Sequence, residues 1–105
     1  MTARVDVRRG SVYLRARDYD TYFAGVAAVI LLIRDGTLQI LPVRQMAAGG
    51  CLLKIRNAAG DRVATAPDVF AANDLGEWCG EGLSARWSSR QGALLVELPA
   101  QMTAN

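Results

Sequence analysis

Two apolar runs separated by an Asp-Gly pair, within Phe23 to Val43, organise the pattern of this chain. Eleven apolar or small residues, Phe23 to Ile33, lead into Arg34-Asp35-Gly36-Thr37, and a second apolar segment returns. Asp-Gly between β-rich runs predicts a hairpin with a two-residue loop, because a type I′ turn needs positive φ at both central residues. That register sets Ile33 opposite Leu38, Leu31 opposite Ile40 and Val29 opposite Pro42, with Leu32 opposite Gln39 on the other parity. Apolar residues at both parities of the first strand predict a central strand covered on both faces. Pro42 donates no ladder hydrogen bond, so its end of the returning strand is expected at an edge or a terminus.

Before this hairpin, Arg4 to Arg17 alternates with period two. Val5 and Val7 sit among Asp6 and Arg8, Arg9-Gly10 reads as a turn, and Val12, Leu14 and Ala16 alternate with Ser11, Tyr13, Arg15 and Arg17. This predicts a second hairpin with one face to the core. Asp18 to Tyr22 is expected to connect the two hairpins. The competing reading is a helix over residues 22–33, capped by Thr21 and helped by Ala24, Ala27 and Ala28. Gly25, the β-branched Val26, Val29, Ile30 and Ile33, and the turn directly after them favour the strand.

Gln45 to Gly50 reads as a flexible connection. Asn57-Ala58-Ala59-Gly60 and Ser89-Arg90-Gln91-Gly92 then share one design, a side-chain acceptor followed three residues later by glycine. A type I turn with a left-handed bulge would pair Ile55 with Val63 and Trp87 with Leu95. Between these hairpins, Thr65-Ala66-Pro67-Asp68 has capping-box spacing and predicts a short helix near 66–73 that buries Val69 and Phe70. Gly76 to Gly82 is expected as a glycine-rich loop, and Gln101 to Asn105 as a frayed tail. The sum is a mainly β chain of about eight antiparallel strands in hairpins, curled into a small barrel or sandwich with one short helix. The alternative is α+β, with residues 22–33 helical.

At 105 residues the chain reads as one domain, 1–105. Its hydrophobic fraction of 51% is high for so small a body, which predicts an apolar surface patch and a homo-oligomer, most simply a dimer. The net charge of +2 is unevenly spread: residues 1–62 hold ten basic and five acidic side chains, residues 63–105 two and five. Ordinary solvated surfaces account for this; a basic face for an anionic partner, or charge pairing within an oligomer, is the sharper reading. An apolar run of eleven residues falls short of the roughly 20 needed for a spanning helix. It reads poorly as a signal peptide too, since Asp6, Asp18 and Asp20 precede it in strand-patterned sequence. No membrane association is expected, and the expected compartment is the cytoplasm.

There is no histidine. This removes Ser-His-Asp and Cys-His nucleophile systems, imidazole zinc sites and the usual proton shuttle near neutral pH. The two cysteines cannot supply a four-cysteine site, and no nucleotide-binding glycine motif is present. No catalytic residue, metal site or cofactor is expected. Cys51, before Leu52-Leu53, reads as a buried strand residue. Trp78 and Cys79 in the glycine loop are candidates for a small pocket, although Glu77 and Glu81 disfavour a reactive thiolate and Trp78 suits the end of a barrel. Tyr13, Arg15, Arg17 and Tyr19 share one parity on the outward side of the first hairpin, and arginine with aromatics on a β-surface suits single-stranded nucleic acid. The bland reading of those arginines is that they keep an exposed strand soluble; an acidic protein surface is a further partner they would suit.

The sequence resembles no particular family. Its leading reading is a non-enzymatic β-domain acting as a protein-binding or homo-oligomeric assembly module. The second is a single-stranded nucleic-acid-binding domain using Tyr13, Arg15, Arg17 and Tyr19. The third is a small enzyme or ligand carrier with a pocket near Trp78 and Cys79.

Overall fold

The Asp35-Gly36 turn forms in the computed structural model, which describes residues 3–43 and 50–99. Both turn residues are left-handed, with φ of 53° and 74°, as a type I′ loop demands. They join β3 (Ala28–Arg34) to β4 (Thr37–Val43) in the expected register, Ile33 to Leu38 through Val29 to Pro42. The residue pair flanking such a turn is hydrogen-bonded, so Thr37, Gln39 and Leu41 present their backbone groups to β3, and Leu38, Ile40 and Pro42 present theirs to the other side. Pairing on that other side ends at Ile40 with Leu94, just before the proline that has no N–H to offer.

Among the described residues, seven further strands join β3 and β4 in a single sheet: β1 (Ala3–Arg8), β2 (Ser11–Leu14), β5 (Cys51–Leu52), β6 (Lys54–Ile55), β7 (Arg62–Thr65), β8 (Cys79–Ser88) and β9 (Ala93–Glu97). Their order is β5-β3-β4-β9-β8-β1-β2-β7-β6, antiparallel throughout. The two outermost strands, β5 and β6, are separated in sequence by Leu53 alone, so one kinked segment pairs with β3 at one end and β7 at the other. Leu53 is buried and donates its N–H to the Ala27 carbonyl at 2.8 Å. The sheet therefore curls into a nearly closed barrel, which removes most of its edges. Its interior is filled by alternate residues of the strands, among them Val5, Val7, Leu14, Leu31, Ile40 and Val96, each at most 3% exposed.

Among the described residues, two helices pack against this body. The first, α1 (Ala16–Tyr22), occupies ground where the sequence suggested a strand end and a connection. Its N-cap, Arg15, makes no side-chain cap; Asp61 from the β6–β7 turn accepts the Ala16 N–H at 2.8 Å instead. A remote carboxylate thus does the work of a local cap, which local pattern cannot reveal. At the end of α1, Tyr22 stacks on Trp87, and the fully buried C-cap Phe23 meets the same indole edge-on. Trp87 is thereby a packing residue, as expected.

The second helix, α2 (Pro67–Ala71), lies within the expected 66–73 and buries Phe70 completely. The capping box does not form: Ala66 is the N-cap, and the Thr65 hydroxyl pairs with that of Ser11 at 2.9 Å. Thr65 is held in β7 by the ladder to β2, too early to cap.

The glycine-ended turns at 57–60 and 89–92 both form, with φ of 95° at Gly60 and 65° at Gly92. Their registers differ from expectation by one residue. Ile55 pairs with Arg62 and Trp87 with Leu94, because each glycine ends a symmetric four-residue loop instead of adding a bulge. The bulge lies elsewhere, where Asp6 in β1 faces both Glu81 and Gly82. Gly80 and Gly82 belong to β8, which takes in the second part of the expected glycine loop from Cys79 onward. The tail at 101–105 and the connection at 45–49 lie outside the described residues.

Candidate functional site

The outward side of the β3–β4 hairpin departs most from what the sequence suggests. Val29 and Leu31 point into the barrel, but Ile30 and Leu32 are 37% and 38% exposed. The strand is covered on one face only, since no layer among the described residues packs outside the barrel wall here. Register places further apolar residues on the same outward surface. Ile30 lies beside Leu41, and Ala28 lies between Val43 and Leu52, the last 59% exposed.

Towards the turn, the same face becomes polar. Thr37 of β4 sits between Arg34 of β3 and Glu97 of β9; one row back, Gln39 sits between Leu32 and Leu95. Arg86 of β8 is the next neighbour of Leu95. Except for Leu32, these side chains, with Asp35 and Gln91, surround an open concavity of about 550 Å³. Leu95, 6% exposed, sits among two arginines and two carboxylates. The concavity thus carries both charge signs around a partly apolar base, a mixture that suits a protein surface better than a simple anion.

The four residues of the expected nucleic-acid face are not brought together. Tyr13 is on β2, Arg15 is the N-cap of α1, and Arg17 and Tyr19 belong to that helix. A helical turn replaces the strand parity they were expected to share, and Tyr19 faces inward, 8% exposed, donating its hydroxyl proton to the Val26 carbonyl at 2.8 Å. The Arg62 guanidinium lies 3.9 Å from the centroid of the Tyr19 ring. Tyr13 does remain on the outer wall, but Arg56 and Arg8 lie over its ring at 4.6 and 5.4 Å. Arg8 is paired with Glu81 at 3.3 Å and Arg15 with Asp6 at 3.7 Å. Asp6 also accepts the Gly82 N–H at 2.7 Å, so its carboxylate is anchored at the bulge.

Asp61 is the acid whose titration this arrangement visibly alters. The Asn57 amide donating to it, then the Ala16 N–H, with Arg56 and Arg15 nearby, hold its carboxyl below the ordinary value. Its role is to hold α1 against the β6–β7 turn.

Trp78 and Cys79 are placed differently, the first packed against the core and the second exposed. The Trp78 ring lies over Gly80 so closely that a Cβ there would come within 2.5 Å of it, and it packs against the core. Cys79 opens β8 with its side chain exposed, whereas Cys51 in β5 is half-buried; both are free thiols. Sequence reasoning misses the concavity at Arg34 and Glu97, because it depends on β9 lying beside β4. No local pattern encodes that neighbour. The outward apolar cluster does have a signal, the double parity of residues 29–33, which within one chain would mean two-sided burial. The chain matches no protein-family model, no curated protein and no solved structure in comparisons with each.

Proposed function

We propose that this chain is a non-enzymatic assembly module that binds a second copy of itself through the outward face of β3, β4 and β5. The observation that carries this reading is the apolar cluster in which Ile30, Leu32 and Leu52 are exposed on neighbouring strands beside the half-covered Leu41 and Val43. Scattered apolar residues are normal on any surface, but contiguous ones aligned by strand register are characteristic of an interface. A stable interface buries about 800 Å² on each partner, with an apolar centre and a polar rim. Here the cluster supplies the centre, and the rows ending at Arg34 and Glu97 supply rim. The reading takes the cytoplasm as its compartment, where Cys51 and Cys79 remain reduced.

Sedimentation equilibrium over a concentration series tests it. Wild type is expected to self-associate, and Leu32→Asp to run as a monomer with an unchanged far-ultraviolet spectrum, because residue 32 does not face the core. A wild-type protein that stays monomeric at every concentration ends the reading. Single-stranded nucleic acid is less well supported on this geometry, since Tyr13 is overlaid by guanidinium groups and Tyr19 is buried.

A further inference from the structure

We infer that the two copies are related by a two-fold axis running along β4, so that Arg34 and Leu32 of β3 meet Glu97 and Leu95 of β9 in the second copy. This rests on the proposed self-association and adds its geometry. When two identical faces meet about a two-fold axis, that axis lies in the plane between them and exchanges what stands to its left with what stands to its right. In this barrel wall β4 has β3 on one side and β9 on the other. In the row of Thr37 those flanks are Arg34 and Glu97, and in the row of Gln39 they are Leu32 and Leu95. An axis along β4 therefore brings Arg34 to the partner's Glu97, Glu97 to the partner's Arg34, and Leu32 to the partner's Leu95. Each row is complementary to its own image.

The neighbouring axes fail this test. One along β3 sets Arg34 against itself, and one along β9 sets Glu97 against itself. The outward residues of β4 that meet their own images are Thr37, Gln39, Leu41 and Val43, all uncharged. Both ends of the proposed ion pair are exposed, and among the described residues neither takes part in an ion pair within its own chain. Neighbouring strands are about 4.8 Å apart, so Arg34 and Glu97 stand nearly equidistant from β4, which is what the exchange requires. The concavity over Leu95 offers the incoming arginine room beside Glu97.

Charge reversal tests the axis separately from the association. Arg34→Glu places two like-charge contacts in the homodimer, and so does Glu97→Arg; each is expected to raise the dissociation constant on the order of a hundredfold. Mixing the two variants restores association, because both contacts of the mixed dimer then join opposite charges, one in the native sense and one reversed. The double variant R34E/E97R restores it too. Should a reversed variant fail to fold, Arg34→Gln and Glu97→Gln serve, each expected to weaken the dimer about tenfold and to reduce its sensitivity to salt. If wild type associates and Leu32→Asp abolishes this, while the charge variants behave as wild type or mixing restores nothing, the axis is overturned and the apolar interface stands. If wild type never associates, both fall.

Discussion

Gly10 and Gly36 are both left-handed glycines in tight hairpin turns, with φ of 84° and 74°, yet replacing them by alanine should have unequal consequences. At Gly36 a Cβ would meet nothing within 4 Å. Gly36→Ala therefore incurs only the left-handed penalty of about 1–2 kcal/mol, partly offset by the reduced freedom of the unfolded chain. At Gly10 the Cβ would lie 2.9 Å from Pro67 Cα and 3.3 Å from Pro67 Cβ. These belong to the first turn of α2, and the Ala66 N–H just before it donates to the Gly10 carbonyl at 2.9 Å. The clash is with backbone, so α2 must move and disturb Phe70, the largest group it buries. Overpacking of this kind adds about 1–3 kcal/mol, so Gly10→Ala should cost about 2–4 kcal/mol in all. Urea unfolding at one fixed protein concentration measures the difference, since self-association would otherwise add its own stabilisation. Two variants within about 0.5 kcal/mol of each other would refute the docking of α2 on the first hairpin.

The remaining expectations concern Asp61 and the thiols. Because hydrogen bonding from Asn57 and Ala16 lowers its folded-state pKa below 3.8, Asp61 contributes stability that is complete above that value and lost as the pH falls through the lowered one. Asp61→Asn should therefore show a shallower loss of stability in that acid window, read from thermal midpoints against pH; parallel curves would remove Asp61 from the linkage. Cys79 should react with a thiol-directed reagent faster than Cys51 in the native protein, following their exposed and half-buried positions. Equal rates would contradict the placement of β5 against β3.

How far the sequence can be read depends on the range of each interaction. The β3–β4 register is legible because Asp35-Gly36 admits few loop geometries and side-chain parity then follows from the pleat. The first hairpin and α2 are legible for similar reasons, a glycine turn in one and a proline-led buried Phe70 in the other. What fails locally fails through a distant partner. Helix α1 replaces a well-patterned strand end because Asp61 caps it from the β6–β7 turn and Tyr22 and Phe23 pack on Trp87 of β8. Tyr13, Arg15, Arg17 and Tyr19 are dispersed by that single change from two-residue to helical periodicity.

The sequence by itself determined a mainly β chain built from hairpins, because alternation and turn chemistry act between neighbours and need no tertiary partner. Tertiary structure alone decided the closure at Leu53, where one short segment pairs with both β3 and β7. It also decided that β9 lies against β4, placing Glu97 across Thr37 from Arg34 and leaving Ile30 and Leu32 on the outside. Such pairings join segments far apart in the chain. They are selected by which closure buries the most apolar surface, a property of the whole barrel that no single stretch of sequence contains.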